Sequence, residues 1–417
     1  MRLIKRDIYL NRLIARRHNQ RIKIVTGVRR SGKSFLLFNL FSNWLSANNV
    51  SDSHIIKIDL ENRRNKTLRD PDALLEYIDS QMFDTEMYYI LIDEIQLVSE
   101  FEDVLNSYLK VKNADVYVTG SNARFLSKDI VTTFRGRGDV IHIYPLSFSE
   151  YHSAFDRPKE ETLSEYLLYG GLPETIPMTT EEEKVAFLRN VYEETYIRDI
   201  LERYNIKQEE ELEILFDIVS STVGSLTNPQ RIANTFVSLR QSNLSAVTIK
   251  KYLDIICESF LMEKAVRYDV KGRKYIDTPC KYYFADPGLR NARMNFRQPD
   301  FSHTMENVIY NELRIRGFNV DVGVVPVVVR ENGKQMRRQY EIDFVCNLGS
   351  RRYYIQSAYR MENKAKIAQE EASFRNIDDS FKKIIVVGEH TPVFHNEAGI
   401  TIISIYDFLL NSNSLEL

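Results

Sequence analysis

Apolar and polar positions follow two periods that alternate along the first 150 residues. Strand-like apolar runs occur at 22–25, 54–60, 88–92, 115–119 and 139–144. Between them, apolar residues recur at helical spacing: Phe35, Leu36, Leu37, Leu40, Phe41, Trp44 and Leu45, then a segment at 72–82, then Phe101, Val104, Leu105, Tyr108, Leu109 and Val111. Buried strands alternating with amphipathic helices predict an α/β fold around a parallel sheet. Ahead of it, Ile4, Ile8, Leu10, Leu13 and Ile14 sit among arginines, the pattern of a partly amphipathic helix or arm. Arg12, Arg16 and Arg17 there either touch a nucleotide or a neighbour, or form a solvated face.

From 147 to 225 the pattern is helical, broken by Tyr169-Gly170-Gly171-Leu172-Pro173-Glu174. Ser147 or Ser149 is placed to cap the first of these helices, and the whole segment suits a helical lid that excludes water from a site. Three helices follow, at 212–222, 229–237 and 245–257, the last with Ser245 as a cap. Two strands at 261–268 and 274–284, joined by a basic turn, complete the pattern of a winged helix. After Asp286-Pro287 the chain predicts a helix at 301–317, strands at 318–322, 324–330, 339–345 and 353–358, a helix at 362–374, and closing strands at 383–387 and 400–405. The expected organisation is a parallel-sheet core at 1–146, a lid at 147–210, a winged helix at 211–290 and a C-terminal α/β domain at 291–417.

Composition changes this picture little. The chain has 417 residues, 43% apolar and 27% charged, which is ordinary for a globular protein. Net charge is −2, so any pull toward nucleic acid or anionic lipid has to be local. Cys257, Cys280 and Cys346 have no paired spacing, which argues against a zinc site and suits a reducing compartment. No apolar run approaches the length of a membrane span, and Asp7, Asn11 and Arg12 interrupt any signal-like start. A cytoplasmic protein without a membrane partner is expected.

The chemistry concentrates at two strand ends. Gly27-Val28-Arg29-Arg30-Ser31-Gly32-Lys33-Ser34 follows the first strand directly and opens the helix that begins at Phe35. Glycines let such a loop turn its N–H groups inward around phosphates, and the helix N-terminus adds partial positive charge. Lys33 then reaches the β- and γ-phosphates of ATP, and the Ser34 hydroxyl ligates Mg2+. The run at 88–92 ends in Asp93-Glu94. Asp93 suits Mg2+, mostly through water, and Glu94 suits the base that orients the attacking water. Gly120-Ser121-Asn122 leaves the next strand, so Ser121 or Asn122 falls beside the γ-phosphate or simply makes a turn. Arg137, or else Arg135, projects from a glycine loop as an arginine finger for a neighbouring subunit or as a solvated charge. Arg198 is expected in a surface ion pair.

In the three-helix segment, Thr248, Lys250, Lys251, Lys271, Arg273 and Lys274 are candidate contacts to duplex or branched DNA; a protein-docking role is the other use of such a module. In the last segment, Glu306, Glu341 and Asp343 suggest carboxylates gathered for metal-dependent phosphodiester chemistry. The position where a lysine should activate water reads Gln356-Ser357-Ala358, so a scaffold without cleavage activity is expected.

Nearly the whole chain resembles a family of bacterial and archaeal ATPases. Its members join an AAA-type P-loop core to a winged helix and a C-terminal restriction-endonuclease-like domain. The resemblance rests on GVRRSGKS at 27–34, YYILIDEIQ at 88–96, VTGSNARFLS at 118–127, FRGR at 134–137, YPLSFSEY at 144–151, YGGLPE at 169–174, YIRDI at 196–200, EIDFV at 341–345 and YYIQSAYR at 353–360. It implies the AAA strand order, Asn122 as a polar sensor and Arg137 as an arginine acting in trans, within a homo-oligomer such as a ring. Two expectations follow: an ATP-driven motor or switch on DNA, or a signalling or chaperone-like ATPase that acts on a protein.

Overall fold

The computed structural model describes residues 3–120, 136–206, 208–240, 244–297, 300–331, 334–361 and 364–417. Ser121, Asn122 and Arg135 therefore lie outside the described residues. The chain divides into two compact units, Met1–Pro145 with Glu258–Phe260, and Leu146–Cys257 with Leu261–Leu417.

In the first unit, β1 (Ile22–Gly27), β2 (Ile55–Asp59), β3 (Tyr88–Asp93), β4 (Ala114–Thr119) and β5 (Gly138–Ile143) form one sheet. The order is β2-β3-β4-β1-β5, and every pairing is parallel. All six residues of β1 and of β3 are buried, as strands covered on both faces must be. One face packs Ile24, Ile58, Ile90, Ile92 and Val118 against Leu74 and Ile78 of the helix Pro71–Gln81 and against Leu105 of the helix Phe101–Tyr108. Asp70 caps the first of these helices by accepting from Asp72 N and Ala73 N, with Pro71 in the first turn. A charge is tolerated inside this core because it is paired: Lys23 on β1 bonds Asp115 on β4 and the carbonyl of Arg21, at 3.0 Å for the latter.

Register fixes one glycine in the loop that leaves β1. Gly27 lies opposite Ile143 of β5. A Cβ on Gly27 would stand 2.0 Å from the Ile143 carbonyl oxygen, and its φ is +138°. No side chain fits there, so the phosphate-loop signature begins with a packing requirement.

The second unit opens on helices. Ser147 caps Phe148–His152 in a full capping box with Glu150, which resolves the choice between Ser147 and Ser149. The helical segment to Ser221 follows, and Arg198 sits in exposed pairs with Glu194 and Glu202. The glycine break at 170–171 has a structural reason. Asp286 is buried and accepts from Gly171 N and Leu289 N. A Cβ on Gly170, at φ +77°, would stand 2.0 Å from Asp286 Oδ1. Burial still pushes the Asp286 carboxyl up to about 6, against those N–H groups.

Helices Glu209–Ser221, Pro229–Arg240 and Ala246–Glu258 precede β6 (Met262–Asp269) and β7 (Lys274–Phe284). The hairpin does not stand free. It joins β8 (Asn319–Glu331), β9 (Lys334–Leu348), β10 (Arg351–Ala358), β11 (Lys382–Val387), β12 (Phe394–His395) and β13 (Thr401–Ser404) in one eight-stranded sheet, ordered β12-β13-β11-β10-β9-β8-β6-β7. The two strands expected at 318–322 and 324–330 are one strand, β8, with a register shift between Asp321 and Gly323. Periodicity breaks at such an irregularity, which explains the split. Helix Phe301–Ile315 packs on the sheet, capped by Asp300. Among the described residues, no helix is long and apolar enough to cross a membrane.

Candidate nucleotide site and a carboxylate cluster

The first site forms where β1, β3 and β4 end. In a parallel sheet these carboxyl ends face one way, and loops leaving them share one edge. The loop after β1 reaches Gly32 at φ +88°, and a helix starts at Lys33–Phe35 and runs on through Ser42–Ala47. Lys33 is buried, and its Nζ donates to the carbonyls of Gly27 at 3.1 Å and Val28 at 3.0 Å. Burial pushes this ammonium down to about 8, against the pull of Glu94 and Asp93; Arg29 adds to the lowering. The Ser31 hydroxyl is buried without a partner among the described residues.

The two motifs share one edge. Asp93 at the end of β3 is buried, and burial pushes its carboxyl up. The Thr119 hydroxyl donates to it, and Thr119 and then Ser34 pull the carboxyl back down. Thr119, at the end of β4, also accepts from Glu94 N at 3.0 Å. One threonine thus fixes both acidic residues. Glu94 has φ +54° and is 9% exposed, and its carboxylate accepts from the Gln96 amide. A carboxylate needs a donor, so the amide nitrogen faces it and Gln96 Oε1 is left buried without a partner among the described residues. Asp59 pairs in register with Asp93, and Glu61 lies close enough that burial, then Glu94 and Asp93, push its carboxyl up.

The residues fit ATP with Mg2+. Lys33 spends two of its three N–H groups on carbonyls of its own loop, and a hydroxyl inside the loop has no partner among the described residues. Both are what a phosphate-binding loop shows when its donors await an anion. Ser34 and Asp93 would hold the ion, one hydroxyl and one carboxylate that leave room for water and phosphate oxygens.

Several side chains were not singled out in the sequence. Thr119 lies in the stretch VTGSNARFLS and Gln96 closes YYILIDEIQ, but neither was given a role, and Glu61 lies just beyond β2. Arg6 is buried and donates to the carbonyls of Ser31 and Tyr144, at 2.8 Å each. It is the arginine of the N-terminal segment that braces the loop. Of the three expected there, Arg16 pairs with Asp139, Arg17 lies 4.4 Å from the Trp44 ring and Arg12 lies 5.4 Å from the Tyr9 ring. Phe35 is exposed at the start of the helix. Arg137 is exposed, and its carbonyl accepts from Ile22 N at 3.0 Å. That puts it at the amino end of β1, about 20 Å along a six-residue strand from the loop. Arg137 cannot serve the phosphates of its own chain.

The second unit holds a separate charged cluster. Lys281 on β7 is buried and bonds Glu306 Oε1 at 2.9 Å, Glu341 Oε1 at 2.9 Å and Asp343 Oδ1 at 3.3 Å. The Tyr283 hydroxyl donates to Glu306 at 2.7 Å, Ser357 N donates to Asp343 at 2.9 Å, and Asp343 N donates to Gln356 Oε1 at 3.3 Å. The lysine missing from position 358 is thus matched by one from the neighbouring hairpin. Its ammonium sits among the carboxylates that were expected to gather for a metal. Among the described residues, no group of three or more His, Cys, Asp or Glu is arranged to hold a metal ion. Burial, and then Asp343, push the Glu306 carboxyl up to about 7 although Lys281 opposes this. Lys250, Lys251, Lys271, Arg273 and Lys274 are all exposed.

Removing the ammonium should leave buried carboxylates unpaired. Lys281→Met is expected to lower stability by about 3–5 kcal/mol, read from urea unfolding at pH 7. Loss of less than about 1 kcal/mol would mean that Lys281 is not what neutralises this cluster.

Comparison with known proteins agrees with the first unit. An AAA domain model matches residues 19–152, and a domain of unknown function matches residues 160–300. An uncharacterized protein of Haemophilus influenzae is 32% identical over 414 residues, 98% of this chain and 99% of that one. One of Methanocaldococcus jannaschii is 26% identical over 395 residues, 91% of this chain and 82% of that one. Among solved structures, the Aeropyrum pernix ORC1 protein in complex with DNA aligns with a TM-score of 0.28 at 12% identity, over 70% of this chain and 93% of that one; a likeness so slight carries no argument. With its parallel P-loop sheet and near end-to-end similarity, the chain belongs to the same family as the Haemophilus influenzae protein, and its first unit is an AAA domain.

Proposed function

We propose that the protein hydrolyses ATP with Mg2+, as a homo-oligomer that acts on DNA. The observation that carries the first part is Thr119, which bonds Asp93 and Glu94 and pairs in register with Val25 at the root of the phosphate loop, so the loop and the acidic strand end share one edge. Residues 27–35 cradle the triphosphate, and Lys33 leaves its two carbonyls for phosphate oxygens. Bound Mg2+ supplies charge neutralisation at the β- and γ-phosphates. Glu94 orients the attacking water and takes its proton. Gln96 contributes twice in this reading. Its Nε2 fixes the Glu94 carboxylate, and its Oε1 accepts the second water hydrogen, which turns the water lone pair toward phosphorus. Asn122 has the polar-sensor role. Arg137 serves the site of a neighbouring copy, a role supported by its distance from its own loop.

For DNA, the support is the exposed basic set on two elements. Lys250 and Lys251 lie on the solvent side of a helix that buries Ile249, Tyr252, Leu253, Ile255 and Ile256. Lys271, Arg273 and Lys274 surround the β6–β7 turn. A helix offered to the major groove with flanking phosphate contacts is the winged-helix mode.

Lys33→Ala is expected to abolish measurable turnover. Glu94→Gln should retain ATP while lowering kcat by 10²–10⁴, as an order of magnitude. Steady-state phosphate release beside nucleotide binding checks both, and normal turnover in Glu94→Gln would remove it from its role.

Nucleotide affinity should also depend on pH. Phosphate oxygens raise the Lys33 pKa above its nucleotide-free value of about 8. Binding then takes up a proton above that pH. Affinity is constant below about pH 8 and falls toward tenfold per pH unit above it. Calorimetric titration with a non-hydrolysable analogue from pH 7 to pH 9.5 reads this, and a flat profile would take Lys33 off the phosphates.

If Arg137 acts between copies, mixing Arg137→Ala with Glu94→Gln subunits restores part of the activity that neither variant has alone. The ATPase rate of the mixture, followed at several mixing ratios, decides this.

A further inference from the structure

The β8–β9 pair outgrows the sheet it belongs to. On β9, pairing with β10 ends at Phe344, and on β8, pairing with β6 ends at Val324. Val327 and Tyr340 still pack against the core. Beyond them the two strands continue in register with each other alone among the described residues: Val328 with Arg337, Val329 with Met336, Arg330 with Gln335 and Glu331 with Lys334. The extension from Val327 to Glu331 is about 13 Å at the usual rise. Val328 is 60% exposed and Met336 44% exposed, so no described residue of this unit covers them.

Its charge is out of proportion to the chain. Residues 327–339 hold Arg330, Lys334, Arg337 and Arg338 against the single acid Glu331, in a protein of net charge −2. By alternation, Gln335, Arg337 and Gln339 share one face of β9, and all three are exposed. The turn between β6 and β7 emerges at the same end of the sheet. Strand β6 runs parallel to β8 with Asp269 opposite Val324, and Val270 N donates to the Val324 carbonyl at 3.0 Å. Arg267 Nη2 reaches Gln339 Oε1 at 3.0 Å, tying the base of the ribbon to that hairpin.

We propose that this two-stranded ribbon enters the major groove of duplex DNA, with Lys271, Arg273 and Lys274 on the flanking phosphates. This rests on the DNA reading above and adds to the helix Ala246–Glu258 a second element in the groove. B-form DNA admits a two-stranded ribbon in a groove about 12 Å wide, whereas the deep, narrow major groove of A-form RNA does not. Arginine and glutamine pair two-pronged with base edges, and exposed Val328, opposite Arg337 on the same face, suits a thymine methyl group.

The test uses the full chain and a labelled duplex, with anisotropy measured across a salt series. Arg337→Ala/Arg338→Ala is compared with Lys250→Ala/Lys251→Ala and with Arg337→Lys/Arg338→Lys; thermal melting and basal ATPase rate are read for each. The ribbon alanine variant should melt as wild type, keep its basal ATPase rate and bind duplex about 10–100-fold more weakly. Its salt slope should stay near the wild-type value, because Lys271, Arg273 and Lys274 keep the phosphates. The lysine variant should regain only part of the affinity, because a point charge does not pair two-pronged with a base edge. Undiminished binding by the ribbon alanine variant, with loss in the Lys250/Lys251 variant, overturns the ribbon and leaves the DNA reading standing. No duplex binding by wild type at low salt overturns both. Capture on phosphatidylserine vesicles in place of duplex also overturns the proposal.

Discussion

A carboxylate buried at the end of a strand is stable only if donors reach it. Asp93 takes one from the Thr119 hydroxyl at the end of β4, and the Ser34 hydroxyl after β1 also lowers its carboxyl. That demand draws three neighbouring strand ends into one site. Thr119 then accepts from Glu94 N, so the residue after Asp93 is placed by the same hydroxyl. Glu94 is held in a left-handed conformation that a non-glycine residue rarely adopts. Such strain persists where surrounding contacts over-determine it. Here they are the strand before it, the threonine beside it and the Gln96 amide on its carboxylate. An anion, a metal ion and a water can all be addressed from this edge because the protein's own donors and acceptors there are incompletely matched.

The second unit treats charge in the opposite way. Lys281 meets three carboxylates at distances that leave little for an outside ion to gain. Asp286 is answered by the N–H of Gly171 at the glycine break and by that of Leu289 in the helix it caps. Both are closed arrangements in which each charged group has a partner in the fold. Buried charge therefore does not by itself mark a site. What separates the nucleotide edge is the remainder: a loop hydroxyl and an amide oxygen with no partner among the described residues, and an ammonium held only by carbonyls.

Much of this was legible in the sequence where the determinants are local. The strand, loop and helix around Lys33 occupy one continuous stretch, as do β3 and its acidic pair. Helix starts at Ser147 and Ser245 follow from capping residues three positions before their partners. Contacts between residues distant in sequence were not legible. Lys281 and Asp343 are 62 positions apart, and Gly171 and Asp286 are 115 apart. A lysine inside a strand carries no local signal that its partners are three carboxylates on other elements. Thr119 escaped for a related reason, since a β-branched residue in a strand satisfies propensity alone.

The same distinction bears on the β8–β9 ribbon. Positive charge on an exposed strand has an ordinary explanation, because lysine and arginine discourage edge-to-edge association. That explanation accounts for the charge and fails to account for the length. The cheaper protection is a short edge strand, and a two-stranded hairpin without a covering layer is only marginally stable in water. Here β8 and β9 instead run several residues past the last core contacts at Val327 and Tyr340, and exposed Val328 and Met336 lie along that extension. These added residues gain cross-strand pairs but bury no further core. A surface that is long, basic and apolar in places is costly to leave in water and inexpensive to place against a polyanion with methyl groups in its groove, so the extension makes physical sense as part of an interface.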